Sequence, residues 1–63
     1  MNYEIDDNGI IKKYYNLGYE VAYSNAENPK IEKRLLLKNG YRQLDDTEWL
    51  INDDSRKVIK VYF

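Results

Sequence analysis

The last part of the chain carries the apolar and polar pattern of a β-hairpin. Residues 48–52 and 57–63 are rich in β-branched and aromatic side chains, which favour strands. Residues 52–56 between them are mostly Asn, Asp and Ser, which favour turns. In the last segment apolar side chains fall on both faces of a strand. We therefore predict two antiparallel strands at this end of the chain.

Two earlier segments also follow the strand pattern. Residues 19–24 alternate, with Tyr19, Val21 and Tyr23 on one face. Residues 41–44 predict a further, short strand that leads through a turn into the hairpin.

A helix is predicted over Pro29–Lys38 because both of its ends carry local signals. Asn28 is a residue type that caps free amide groups, and proline at the first helical position loses no hydrogen bond. At the other end, Asn39 is followed by Gly40, which accepts the left-handed turn that ends many helices.

Residues 10–17 allow two interpretations. Their apolar side chains form one continuous helical face, and the lysines fill the other face, so we favour a helix. However, residues 7–9 are also a hairpin signal that could join a strand at 3–5 to a strand at 10–17. Residues 15–19 and 37–41 share one pattern, in which a helix end is followed by glycine, tyrosine and the start of a strand. This similarity supports a helix at residues 10–17.

These elements predict an α+β fold in one small domain that spans residues 1–63. One or two helices pack on a mostly antiparallel sheet, which ends in the C-terminal β-hairpin. We expect the helices to share one face of the sheet.

The residue types restrict the chemistry that the chain can perform. It has no cysteine and no histidine, so Ser-His and Cys-His nucleophiles and thiolate metal sites are excluded within it. Carboxylate pairs occur at 6–7, 45–46 and 53–54, but adjacent aspartates in turns usually cap the backbone. We therefore expect no catalysis, no cofactor and no metal.

The chain also has the features of a cytoplasmic protein. Its longest apolar runs are three residues, too short to span a membrane, and its first residues do not form a secretory signal. The absence of cysteine fits a reducing compartment.

Charge is segregated along the chain despite a net charge of −1. Residues 30–42 contain five cations and one anion, whereas residues 45–54 contain five anions and no cation. On the helix, the cations share one arc and Ile31, Leu35 and Leu36 share the opposite arc, which we expect to face the sheet. Leu37 falls among the cations.

We predict a protein-binding surface of one apolar anchor surrounded by charge. Its residues are Lys33, Arg34, Leu37, Lys38 and Tyr41. A second candidate is the acidic surface of Asp45, Asp46, Asp53 and Asp54. Seven tyrosines agree with a contact surface but also with a small core.

Several alternatives remain open at this point. The cations of the helix could simply be solvated on the outer face of a helix that covers the core. The basic helix could instead bind the phosphates of a nucleic acid. The C-terminal strand could lie at a sheet edge and pair with a second copy. The small size suggests an accessory or inhibitor protein of a phage or mobile element.

Overall fold

The computed structural model describes residues 7–63 as two helices and a four-stranded sheet. The elements are α1 (Asp7–Asn16), β1 (Glu20–Tyr23), α2 (Pro29–Lys38), β2 (Arg42–Gln43), β3 (Trp49–Asn52) and β4 (Lys57–Lys60). The strand order is β1-β4-β3-β2, with β1 parallel to β4 and the other two pairs antiparallel. The α+β fold and the C-terminal hairpin are therefore confirmed. The alternative strand at 3–5 lies outside the described residues.

Helix α1 confirms the helical interpretation of residues 10–17. Its apolar face buries Ile10 and Tyr14. The helix ends where Gly18 takes a φ of +88°, which a side chain would strain. The amide of Tyr19 then bonds back to the carbonyl of Tyr14 at 2.9 Å, so the last turn is closed by the chain that leaves it.

Helix α2 begins and ends at the predicted residues. The side chain of Asn28 accepts a hydrogen bond from the amide of Ile31 at 3.4 Å. After the helix, Gly40 has a φ of +92°, and the amide of Tyr41 bonds back to the carbonyl of Leu36 at 3.0 Å. Local chemistry thus fixes both ends.

The core lies on both faces of β3. Trp49, Leu50 and Ile51 are consecutive, and all three are buried. Because neighbouring side chains of a strand point to opposite faces, both faces must be covered. Ile10 and Tyr14 of α1 pack against the face that carries Trp49 and Ile51.

Helix α2 covers the opposite face. Asn52 shares the pleat of Leu50, and its side chain donates to the carbonyl of Asn39 at 3.4 Å, just after α2. The helix also contacts β2 and β3. The expectation that both helices share one face is therefore wrong. The three consecutive apolar residues of β3 already indicate a strand buried on both sides.

The rotation of α2 about its axis also differs from the prediction. Ile31 and Leu35, expected to face the sheet, are 51 % and 50 % exposed. The partly buried residues of the helix are Pro29, Glu32, Lys33 and Leu36. Of the three residues expected to face the sheet, only Leu36 is among them. Lysine can cover apolar surface with its aliphatic stem, so the most apolar arc of a helix need not be the one that packs.

The C-terminal strand, for which the sequence left an edge position open, lies inside the sheet. Over Lys57–Lys60, β4 lies between β1 and β3 and has a neighbour on each side. The hairpin pattern in the sequence predicts only one neighbour of β4, the antiparallel strand β3. The parallel partner β1 comes from far earlier in the chain, and no local pattern reports it. The edges among the described strands are β1 and β2.

Candidate functional site

A basic hollow lies on one flank of α2. It has a volume of about 340 Å³ and is lined by Lys30, Lys33, Arg34, Leu37 and Phe63. The first four residues fall on one arc of the helix because they are spaced by three or four positions. Phe63 comes after β4 in the sequence, and the fold brings it next to these four residues of α2. We call these five residues the basic hollow.

Phe63 holds one of the cations in place. The Nζ atom of Lys33 lies 4.0 Å from the centroid of the Phe63 ring, which is a favourable cation–π distance. The other two cations, Lys30 and Arg34, are exposed. Within residues 7–63, no carboxylate lies within ion-pair distance of any of the three. Positive charge thus surrounds an apolar floor of Leu37 and Phe63 without internal neutralisation.

The structure brings together three of the five residues predicted for the binding surface. Lys33, Arg34 and Leu37 line the basic hollow. Lys38 is exposed at the end of α2 but does not line it. Tyr41 instead lines a separate hollow of about 180 Å³.

Sequence reasoning missed two members of the hollow. Lys30 shares the helical arc of the cations, so the spacing alone could have included it. Phe63 carries no local signal, because its place depends on how the hairpin packs against α2.

The predicted acidic surface is divided between the two ends of β3. Asp45 and Asp46 lie in the turn before this strand, and Asp53 and Asp54 in the turn after it. Asp45 has a φ of +49°, a left-handed turn conformation that aspartate tolerates better than most residues. The four carboxylates therefore do not form one continuous array.

Asp53 already has partners within the chain. It accepts a hydrogen bond from the Tyr19 hydroxyl at 3.0 Å and one from Nε of Arg42 at 3.1 Å. These two donors, Tyr19 first, hold the pKa of the Asp53 carboxyl below its ordinary value. The same contact raises the pKa of the Tyr19 hydroxyl. Since the ion pair is exposed, its contribution to stability is small.

Asp7 has a role that the sequence did not indicate. It lies in the first turn of α1, where one carboxylate oxygen accepts from the indole Nε1 of Trp49 at 3.0 Å. Its other oxygen forms an ion pair with Lys60 of β4. The hydrogen bond from Lys60, followed by that from Trp49, lowers the pKa of Asp7, and it raises the pKa of Lys60. This carboxylate ties α1 to the sheet.

Acid should weaken the fold through Asp7 and Asp53. Both carboxyls have folded-state pKa values below 3.8, so their stabilising effect is complete above that pH. It is lost as the pH falls through the lower folded-state values. Urea unfolding between neutral pH and pH 2.5 should therefore show a larger loss of stability in the wild type than in Asp7→Asn/Asp53→Asn, and the difference should be modest because both carboxylates are solvent-exposed. An Asp46→Asn variant should lose as much stability as the wild type, and equal losses in all three proteins would refute the assignment.

The described residues show no arrangement typical of a metal site or a membrane span. Between residues 7 and 63, no three potential ligands from Asp, Glu, His and Cys come together. No helix in that range combines the length and apolar character needed to cross a bilayer. Comparison with known proteins found no matching family model, no matching curated protein and no matching solved structure.

Proposed function

We propose that this chain is a non-catalytic protein-binding module, and that its basic hollow docks an acidic segment of a partner protein. The carrying observation is the set of unneutralised cations around an apolar floor. Carboxylates of the partner would meet Lys30 and Arg34, and one large apolar side chain would cover Leu37 and Phe63. An apolar anchor inside a charged rim is the usual composition of a protein interface.

The same observations favour a protein over a nucleic acid. A phosphate strip along the helix would use cations as far as Lys38 and Arg42. Lys38 lies outside the hollow, and the guanidinium of Arg42 is bound to Asp53. The chain as a whole is also slightly acidic, whereas domains that bind nucleic acid usually carry a positive excess. Such a module would suit a cytoplasmic accessory or inhibitor protein of a phage or mobile element.

The test uses a labelled peptide of glutamates around one phenylalanine. Nuclear magnetic resonance should show shifts at the basic hollow on titration, and the same peptide with alanine for phenylalanine should bind more weakly. We expect Leu37→Asp to weaken binding by at least about tenfold because it removes one of the two apolar side chains of the floor and adds a charge that repels the acidic peptide. Arg34→Glu should weaken it too, and the loss should grow as salt is lowered.

Ile31→Asp is the matched control. Ile31 lies on the same helix, is similarly exposed and receives the same charge, but it is not part of the hollow. This variant should bind the peptide almost as the wild type does. Equal losses in Leu37→Asp and Ile31→Asp would refute the hollow as the site. If only a single-stranded oligonucleotide of equal charge binds, with a steep salt dependence, the basic helix is a phosphate-binding surface and the protein-docking proposal falls.

A further inference from the structure

Strand β1 is an edge with less protection against pairing than the other edge of the sheet. The other edge, β2, has only two residues, and one of them is Arg42. Short length and charge are common ways in which proteins prevent edge strands from pairing. In contrast, β1 has four residues, Glu-Val-Ala-Tyr, whose one charged side chain is at the first position, and it contains no lysine or proline. None of the residues that the structure describes pairs with its outer side.

The hydrogen bonds of β1 show which groups point outward. The amide of Glu20 donates to the carbonyl of Arg56 at 2.9 Å, and the amide of Ser24 donates to the carbonyl of Lys60 at 2.8 Å. Since alternate residues of a strand bond to the same neighbour, Ala22 also faces β4. The N–H and C=O groups of Val21 and Tyr23 therefore point away from the sheet.

We propose that two copies of this chain pair through β1 in antiparallel fashion, with Ala22 on the two-fold axis. In this register, the outward groups of Val21 meet those of Tyr23 in the second copy, and the reverse pair completes a self-complementary set. This register follows from a two-fold axis at Ala22. In it, the outward N–H groups of Val21 and Tyr23 each donate to a backbone carbonyl of the second copy. The proposal is independent of the basic hollow.

The side chains are compatible with the same register. Val21 lies beside Tyr23 of the second copy, and aromatic with β-branched is a favourable cross-strand pair. Tyr23 is about half exposed and contacts Trp49 with ring centroids 5.6 Å apart, so its ring is already positioned. Glu20 lies opposite Ser24 of the second copy, which places no like charges face to face.

On the other face of the sheet, Ala22 is exposed. Next to Ala22 lies the hollow of about 180 Å³, whose lining residues are Glu20, Ala22, Tyr41, Lys57 and Ile59. Alanine is small, so two copies can approach at the axis without a clash. A four-residue strand buries little area, and we expect a weak dimer with a dissociation constant of roughly 0.1–1 mM.

Charge exchange at Ala22 tests the register. In Ala22→Lys, two lysines meet at the axis, and sedimentation equilibrium should show a monomer over the concentrations at which the wild type associates. Ala22→Glu should behave likewise. A mixture of the two variants should associate again, because opposite charges then meet. The control is Ser55→Lys, which adds the same charge in the exposed β3–β4 turn and should associate as the wild type does.

Amide exchange gives a second readout at single residues. The amides of Val21 and Tyr23 should exchange more slowly as protein concentration rises, whereas the amide of Ala22 is bonded to β4 and should not change. A wild type that stays monomeric up to about 1 mM would overturn the proposal. So would association that Ala22→Lys leaves unaffected, or amides of Val21 and Tyr23 that are equally protected at all concentrations.

Discussion

Replacing Trp49 with alanine should remove a large part of the free energy of unfolding of this protein. The side chain is fully buried and is the largest in the core between α1 and the sheet. Deleting such a side chain costs about 3–5 kcal/mol. A chain of this length has a total free energy of unfolding of only about 3–9 kcal/mol. The variant also leaves Asp7 without its indole donor and Tyr23 without its ring contact.

Circular dichroism with a urea titration measures this loss. Since Trp49 is the only tryptophan, its fluorescence cannot report on the variant. Tyr15→Ala is the control. Tyr15 lies on α1, the helix that packs against Trp49, but its side chain is 72 % exposed. It should change the free energy of unfolding by no more than about 0.5 kcal/mol. A Trp49→Ala protein with a wild-type urea midpoint would show that the indole is not the centre of the core.

The elements that the sequence predicted well are those with local causes. Both ends of α2 depend on residues within a few positions of the helix: Asn28 and Pro29 at its start, Gly40 at its end. The β3–β4 hairpin likewise follows from two strand patterns and a turn between them. Such features do not depend on the rest of the fold, so their positions can be predicted from the local sequence.

Features that depend on distant packing were not predictable in the same way. The parallel pairing of β1 with β4 joins segments far apart in the chain. Because of it, β1 rather than β4 is the edge of the sheet. The candidate site shows the same division. Lys33, Arg34 and Leu37 share a helical arc and were found from spacing, whereas Phe63 reaches them only through the tertiary fold. Tyr41 was placed with them because it follows α2, but it turns to another hollow.

Two leucines should differ sharply in what they contribute to stability. Leu50 of β3 is fully buried on the face that α2 covers, so Leu50→Ala should cost about 2–5 kcal/mol. Leu35 of α2 is half exposed, and Leu35→Ala should cost less than about 1 kcal/mol because much of its side chain already contacts water. The substitution removes the same atoms in each case, so urea unfolding of the two variants compares the sites directly.

The comparison decides how α2 is held on the sheet. If Leu35→Ala is as costly as Leu50→Ala, the apolar arc of Ile31 and Leu35 packs as the helical pattern predicts, and the basic arc points to solvent. A low cost for Leu35→Ala, together with a clear cost for Leu36→Ala, shows instead that α2 rests on its Leu36 side. In that orientation Leu37 and the cations around it lie beside Phe63 rather than away from the sheet. The basic hollow exists only in this orientation, so this stability measurement also tests the geometry on which the docking proposal depends.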